Sequence, residues 1–150
     1  MPVKPLIIPA EDFSEKEKGE LHEFENLINE LNRRNIPAEV AEEINKKIED
    51  LNRYKAASKK YLKKMRGAKK GIFELLQKKL GLVPRNYYMN MWTPLGMSVF
   101  GIPLGVALSA ITKNAAFIGI GLPIGLAIGS YHGKKLDKKA AEENKVLDLS

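Results

Sequence analysis

Few side chains in this sequence have the type and spacing that catalysis or metal binding requires. His22 lies close to Glu23 and Glu25, but position 19 is a glycine, so the Glu-x-x-His pair that a helical di-metal site uses is missing. The other histidine, His132, belongs to a distant segment. We therefore expect His22 to be a solvated helix residue. The sequence predicts no catalytic residue, no metal site and no cofactor.

Two glycine patterns also fail as nucleotide-binding motifs. The pair Gly119 and Gly121 has no third glycine at the required spacing, and the segment from Gly67 to Gly71 is not a Walker motif. There is no cysteine nucleophile and no serine in a nucleophile elbow. The apolar runs described below contain no acidic residue, which argues against proton-coupled transport. We expect that the protein is not an enzyme.

The most informative pattern is a four-residue repeat of small residues in two apolar runs. Such spacing places them on one helix face, where two backbones can approach closely inside a bilayer. The predicted helix-packing residues are Gly101, Gly105, Ser109, Gly121, Gly125, Gly129 and Gly133. The spacing leaves open whether these faces pack within one hairpin, between copies or against another protein.

The two runs also repeat each other. The segment from Gly101 to Ser109 aligns with the segment from Gly121 to Gly129, and apolar positions stay apolar. In an antiparallel hairpin this gives inverted repeats, by duplication or by convergence. Pro103 and Pro123 hold equivalent places, where each removes one backbone hydrogen bond and predicts a helix kink. The alternative is that the carbonyl groups left without a hydrogen bond by these prolines line a polar path in an oligomer.

The elements that carry these residues are two transmembrane helices, at about 94–111 and 115–131, within a hairpin at 87–133. A short turn around Lys113 joins them, and each run is at the short end for a membrane span. A hairpin in a soluble core is the alternative. Aromatic side chains that favour the membrane–water interface flank the runs: Tyr87, Tyr88, Trp92 and Tyr131.

The region before the hairpin predicts helices. Prolines keep residues 1–13 as an extended arm. Ser14 and Glu17 form a capping box that begins a first helix, and a second runs from Pro37 to about Arg66, so we expect a helical hairpin or a coiled-coil contact with another chain. The short apolar helix at 72–80 suits either the membrane interface or a third packed helix. The fold class is therefore all-α: an N-terminal cytoplasmic helical hairpin (14–86), a two-helix transmembrane hairpin and a charged cytoplasmic tail (134–150).

Charge is distributed unevenly along the chain. Residues 1–52 are acidic overall, whereas residues 53–92 contain 12 basic side chains and one acidic side chain. We predict that this basic juxtamembrane segment contacts lipid headgroups or an acidic partner, and that nucleic acid is an unlikely ligand because the segment is tethered to a span. The residues concerned are Lys59, Lys60, Lys63, Lys64, Arg66, Lys69, Lys70, Lys78 and Lys79. Positive charge flanks both outer ends of the hairpin, so both termini are expected in the cytoplasm and the protein in the cell inner membrane.

One resemblance supports the topology. Residues 87–139, with Trp92-Thr-Pro-Leu-Gly96, the Gly-x-Pro-x-Gly units and the trailing Lys-Lys-Leu-Asp-Lys-Lys, resemble small uncharacterised bacterial glycine-zipper membrane proteins. The resemblance implies two spans and a short outer turn, but no activity. We therefore expect a structural, scaffold or accessory subunit that packs with membrane lipids, with its own copies or with other membrane-protein subunits. The alternative is a homo-oligomeric pore or channel.

Overall fold

The computed structural model describes residues 1–8, 13–54 and 58–149, with the side chain of Ser58 left out, and it divides into two compact units. The first unit comprises Met1–Pro84 together with the chain from Leu147 onward, and the second is Arg85–Val146. The described residues are mainly helical, with two long apolar helices in the C-terminal part. The all-α prediction is confirmed at this level. Residues 9–12 of the predicted arm lie outside the described residues.

Three helices build the first unit: α1 (Glu15–Arg34), α2 (Ala38–Asn52) and α3 (Ser58–Leu80). At the start of α1, the backbone N–H of Ser14 donates to the carboxylate of Glu17 at 2.8 Å, as the capping box predicts, and the hydroxyl of Ser14 also donates to that carboxylate at 2.8 Å. Asn35 ends α1 in the left-handed conformation, and Pro37 precedes α2.

The apolar stripes of these helices form the core of the first unit. Side chains at the predicted three-and-four and heptad positions are less than 6% exposed: Leu21, Phe24, Ile28, Leu31, Ala41, Ile44, Ile48, Leu51, Leu62 and Met65. They are buried within the unit itself, which is the ordinary outcome for amphipathic helices of this length. The stripes are therefore not available for a coiled coil with another chain.

The predicted helix boundaries in this unit are wrong in two places. The second helix ends at Asn52 rather than near Arg66, and one helix runs from Ser58 to Leu80 where a break and a short helix were expected. The heptad phase of the apolar residues in α2 resumes in α3, and for this reason the sequence predicts one helix, although Lys55 and Ser58 interrupt the apolar positions between them. Ile72 and Leu76 are 1% and 0% exposed. The end of α3 is thus a packed part of the core and not an interfacial helix.

The described residues also form two short strands. β1 (Val83–Pro84) pairs with β2 (Val146–Leu147). Leu147 is buried, and the side-chain amide of Asn26 donates to the carbonyl of Leu149 at 3.3 Å. The end of the described chain is therefore held against α1.

The second unit is built from two long helical segments. The first is α4 (Tyr87–Gly96), a π-helical turn (Met97–Gly101) and α5 (Ile102–Thr112), which together span 26 residues and contain an 18-residue window with a mean hydropathy of 1.8. A short 3-10 helix (Ala115–Phe117) leads into α6 (Ile118–Glu142), and this segment has 28 residues and an 18-residue window with a mean hydropathy of 1.4. Only 17% of each apolar window is buried, whereas a soluble core helix is mostly buried. Both segments are long and apolar enough to span a membrane.

Candidate helix-packing site

The glycines of α6 form the face that packs against the first helical segment. Gly121, Gly125, Gly129 and Gly133 are buried, whereas most residues between them are exposed. A Cβ atom on Gly125 would lie 2.5 Å from the backbone nitrogen of Gly101. Any side chain there would overlap the opposite backbone, so glycine is the residue that permits this approach.

The surface of the first helical segment that faces α6 also contains glycines. A Cβ on Gly121 would lie 2.7 Å from the Cα of Gly105, and one on Gly105 would lie 2.5 Å from the carbonyl oxygen of Ile118. Ser109, the last small residue of the predicted stripe, is half-buried. The two glycine stripes therefore face each other within one hairpin.

Gly96 belongs to the same packing face, although the four-residue spacing does not include it. It is buried, and a Cβ on it would lie 2.7 Å from the Cα of Gly129. Gly96 precedes Gly101 by five residues, and the π-helical turn between them inserts the extra residue that restores the register. The backbone N–H of Ile102 donates to the carbonyl of Met97, five residues earlier.

The two span prolines have different surroundings. Pro103 lies just after the π-helical turn, in the first turn of α5. The predicted distortion at Pro103 thus coincides with a change of helix type. Pro123 lies inside α6, which continues through it as an α-helix.

At one end of the hairpin, a carboxylate on α6 binds the start of α4. The side chain of Asp137 on α6 accepts hydrogen bonds from the backbone N–H groups of Tyr88 and Met89, both at 2.9 Å. These groups lie in the first turn of α4, which has no intrahelical acceptor for them. Asn86, at the cap position, provides no side-chain hydrogen bond. Asp137 therefore caps α4 from the neighbouring helix.

The hydroxyl groups of the hairpin are satisfied locally. Thr93 donates to the carbonyl of Met89 at 2.7 Å, and its oxygen lies 3.0 Å from the hydroxyl of Ser130, so Ser130 is the donor of that second bond. Ser98 and Thr112 donate to carbonyls four residues earlier, at 3.0 and 2.7 Å. Such bonds remove the cost of placing a hydroxyl in an apolar medium.

The predicted interface aromatics lie at one end of the hairpin. The rings of Tyr87 and Tyr88 meet edge to face at 5.2 Å, Trp92 packs edge to face on His132 at 4.4 Å, and Tyr131 is 74% exposed. The turn at the opposite end contains Lys113. About 20 helical residues separate the two ends, which corresponds to roughly 30 Å, the thickness of a bilayer core.

A half-open groove of about 330 Å³ lies on the side of the hairpin near Trp92. Its walls are almost entirely apolar and include Leu95, Val99, Phe100 and Ile128. The indole nitrogen of Trp92 is buried without a hydrogen-bond partner among the described residues. The groove suits a hydrocarbon chain better than a polar substrate.

The predicted basic contact residues all lie on α3, and acidic residues of the same unit neutralise some of them. Arg66 donates to Glu20 at 2.6 and 2.9 Å, and this bidentate pair lowers the pKa of Glu20 and raises that of Arg66. Lys79 donates to the carboxylate of Glu39 at 2.8 Å, and this ion pair raises the pKa of Lys79.

Three other members of the basic set also have partners within the first unit. Lys69 pairs with Glu23 at 2.7 Å, Lys70 lies 3.8 Å from Glu74, and Lys64 donates to the carbonyl of Asp50 at 3.1 Å. Further basic residues on the same helix are exposed: Lys59, Lys60, Lys63 and Lys78. Part of the basic segment therefore serves the fold of the first unit.

His22 is exposed on α1, and its Nδ1 lies 3.9 Å from the carboxylate of Glu25. Within residues 1–8, 13–54 and 58–149, no group of three His, Asp or Glu side chains has a geometry that could hold a metal ion. Comparison of the chain with models of known families, with curated proteins and with solved structures finds no match.

Proposed function

We propose that this protein is a small integral membrane protein with a structural, scaffold or accessory role. The hairpin of α4, α5 and α6 anchors it in the bilayer, and the first unit forms an interaction surface on the cytoplasmic side. The observation that carries this proposal is the backbone-to-backbone packing of the glycine stripes, which leaves the large apolar side chains of both helices facing outward. Outward apolar side chains need lipid or another apolar partner.

The orientation follows from charge. Lys134, Lys135, Lys138 and Lys139 follow the second span, and the basic segment precedes the first. Lys113 is the basic residue of the intervening turn. With positive charge on the inside, both termini lie in the cytoplasm, which for a bacterial protein means the inner membrane.

A homo-oligomeric pore receives less support from the geometry. The glycine faces are occupied within the hairpin, and the outward faces carry residues such as Val106, Ile120 and Leu126. The hydroxyls of Ser98 and Thr112 donate to their own helices. Few polar groups are thus left to line a path for ions.

The test is the mass of the protein after gentle extraction from its native membrane into nanodiscs. Co-purification with other proteins at fixed stoichiometry is the result expected for an accessory subunit, and a defined homo-oligomer is the result expected for a self-assembled scaffold. Complete recovery from the soluble fraction would contradict the proposal. Ion flux through liposomes that contain the pure protein would favour the pore.

A further inference from the structure

The half-open groove beside Trp92 has the length of a single lipid leaflet. Its wall on the first helical segment extends from Trp92 to Phe100, and eight helical residues correspond to about 12 Å. Half of a bilayer core is about 15 Å thick. The groove therefore matches one hydrocarbon chain of one leaflet and does not extend across the membrane.

The glycine packing of the hairpin makes this groove concave and apolar. Gly96 and Gly129 are its buried lining residues, and neither has a side chain to fill the space between the two helices. Leu95, Val99 and Phe100 line it as well and are exposed. A cavity of about 330 Å³ with such walls offers van der Waals contact along its length but few hydrogen bonds.

The polar side chains of the groove, Trp92 and His132, lie together at one end. Their rings pack edge to face at 4.4 Å. The indole nitrogen is buried and has no hydrogen-bond partner among the described residues, and a buried donor without an acceptor costs free energy. His132 is exposed, so its ring can turn aside and admit an acceptor from outside the chain.

A lysine follows the groove at the same end. Lys135 is three residues after His132 and seven after Ile128, which places all three on one face of α6. Lys135 is exposed and makes no ion pair or hydrogen bond with the residues that the structure describes. The nearest acid along the helix, Asp137, binds the amides at the start of α4. One helical turn beyond the apolar walls there is thus an uncompensated positive charge.

We propose that this groove binds one anionic phospholipid of the cytoplasmic leaflet. One acyl chain lies between Val99 and Ile128, an ester carbonyl accepts from Trp92, and the phosphate pairs with Lys135. This inference rests on the proposed function, because it needs the hairpin in a bilayer with this end at the cytoplasmic side, where anionic lipids are found. A second copy of the spans fits the charge less well, since residues 94–131 contain no acidic side chain that could pair with Lys135.

Quenching of tryptophan fluorescence tests the proposal, because Trp92 is the single tryptophan of the chain. The full chain is placed in phosphatidylcholine liposomes, and flotation establishes that it is inserted. A rising fraction of the lipid is then replaced by phosphatidylglycerol or phosphatidylcholine with brominated acyl chains, which quench tryptophan on contact. The anionic lipid should reach half-maximal quenching at a mole fraction about five-fold lower, since one lysine at an anionic leaflet contributes about that factor.

Two pairs of variants locate the site. Lys135→Gln should remove most of the preference for the anionic lipid, whereas Lys134→Gln removes the same charge about 100° around the helix and should retain it. Val99→Phe fills the groove and should abolish the extra quenching at low mole fractions. Val106→Phe is its control, because Val106 is also 52% exposed but does not line the groove.

Equal quenching of the native chain by the two lipids would mean that Trp92 contacts bulk lipid without a specific site, and the proposal would be wrong. Quenching by neither lipid, in protein that floats with the liposomes, would mean that another occupant covers the groove, and the proposal would again be wrong. A preference that survives both Lys135→Gln and Val99→Phe would place the anionic lipid elsewhere and overturn it. Failure of the chain to float would contradict the proposed function, and this inference with it, whereas the other three outcomes leave the membrane anchor intact.

Discussion

Gly125 on α6 lies directly against the backbone of Gly101, so that a Cβ atom on Gly125 would come within 2.6 Å of the Cα of Gly101. We predict that Gly125→Ala destabilises the hairpin by about 1–3 kcal/mol, because the added methyl group forces the two backbones apart. Denaturation in detergent, followed by the fluorescence of Trp92, which is the single tryptophan, measures the effect.

Gly119 provides the matched control for that change. It lies in the same helix, and a Cβ added there meets nothing within 4 Å. Gly119→Ala should leave stability unchanged or raise it slightly, since alanine is preferred over glycine in a helix by about 0.5–1 kcal/mol. Equal loss of stability in the two variants would contradict this explanation, because Gly119 has no backbone contact to lose.

The carboxylate of Asp137 should stabilise the start of α4. Asp137→Ala removes the acceptor of two hydrogen bonds, and we expect a loss of about 0.5–2 kcal/mol, as for other helix caps. Asp137→Asn should lose less, because one acceptor oxygen remains. Hydrogen exchange measures the effect at the amides of Tyr88 and Met89, which should exchange faster in both variants.

Lys138→Ala is the control for Asp137, because it changes the adjacent, exposed residue of α6. In this variant the amide hydrogens of Tyr88 and Met89 should exchange at the same rate as in the native chain. Unchanged amide exchange in Asp137→Ala would mean that another group caps α4.

Glu30 on α1 should make the first unit sensitive to acid. Its side chain is 3% exposed. Burial alone raises its pKa, but hydrogen bonds from Arg34, the backbone N–H of Asp148 and Arg33 outweigh burial and hold the pKa below the usual 4.5. A lowered folded-state pKa gives stability that is present above the ordinary pKa and is lost as the pH falls through the folded-state value.

The measurement is hydrogen exchange at the buried amides of α1 across that range of pH, after correction for the intrinsic rates. Protection should fall with the pH in the native chain and change less in Glu30→Gln, which has no carboxylate to protonate. The same pH dependence in both proteins would assign the acid sensitivity to other groups.

Local patterns in the sequence predict part of this architecture correctly. The Ser14–Glu17 capping box and the apolar stripe around Phe24 appear as helix start and core, because both depend on neighbours three or four residues away. Uncharged runs of sufficient length also predict the two long apolar helices. The resemblance to glycine-zipper membrane proteins stays a prediction.

Features that depend on distant contacts or on irregular backbone could not be predicted in the same way. Gly96 reaches the packing face only through a π-helical turn, and a fixed four-residue repeat excludes it. Asp137 caps a helix that begins 50 residues earlier in the chain. The break after Asn52 was missed because the heptad phase resumes at Leu62, although Lys55 and Ser58 already interrupt the apolar pattern at the break.

We propose that the hairpin crosses the membrane with both termini in the cytoplasm. Single cysteines in place of Lys113 in the turn and Lys16 on α1 report this topology in intact cells treated with a membrane-impermeant thiol reagent. We expect Lys113→Cys to react from outside the inner membrane, and Lys16→Cys to react only after the membrane is opened. Equal reaction at both positions before the membrane is opened, or at neither, would contradict it.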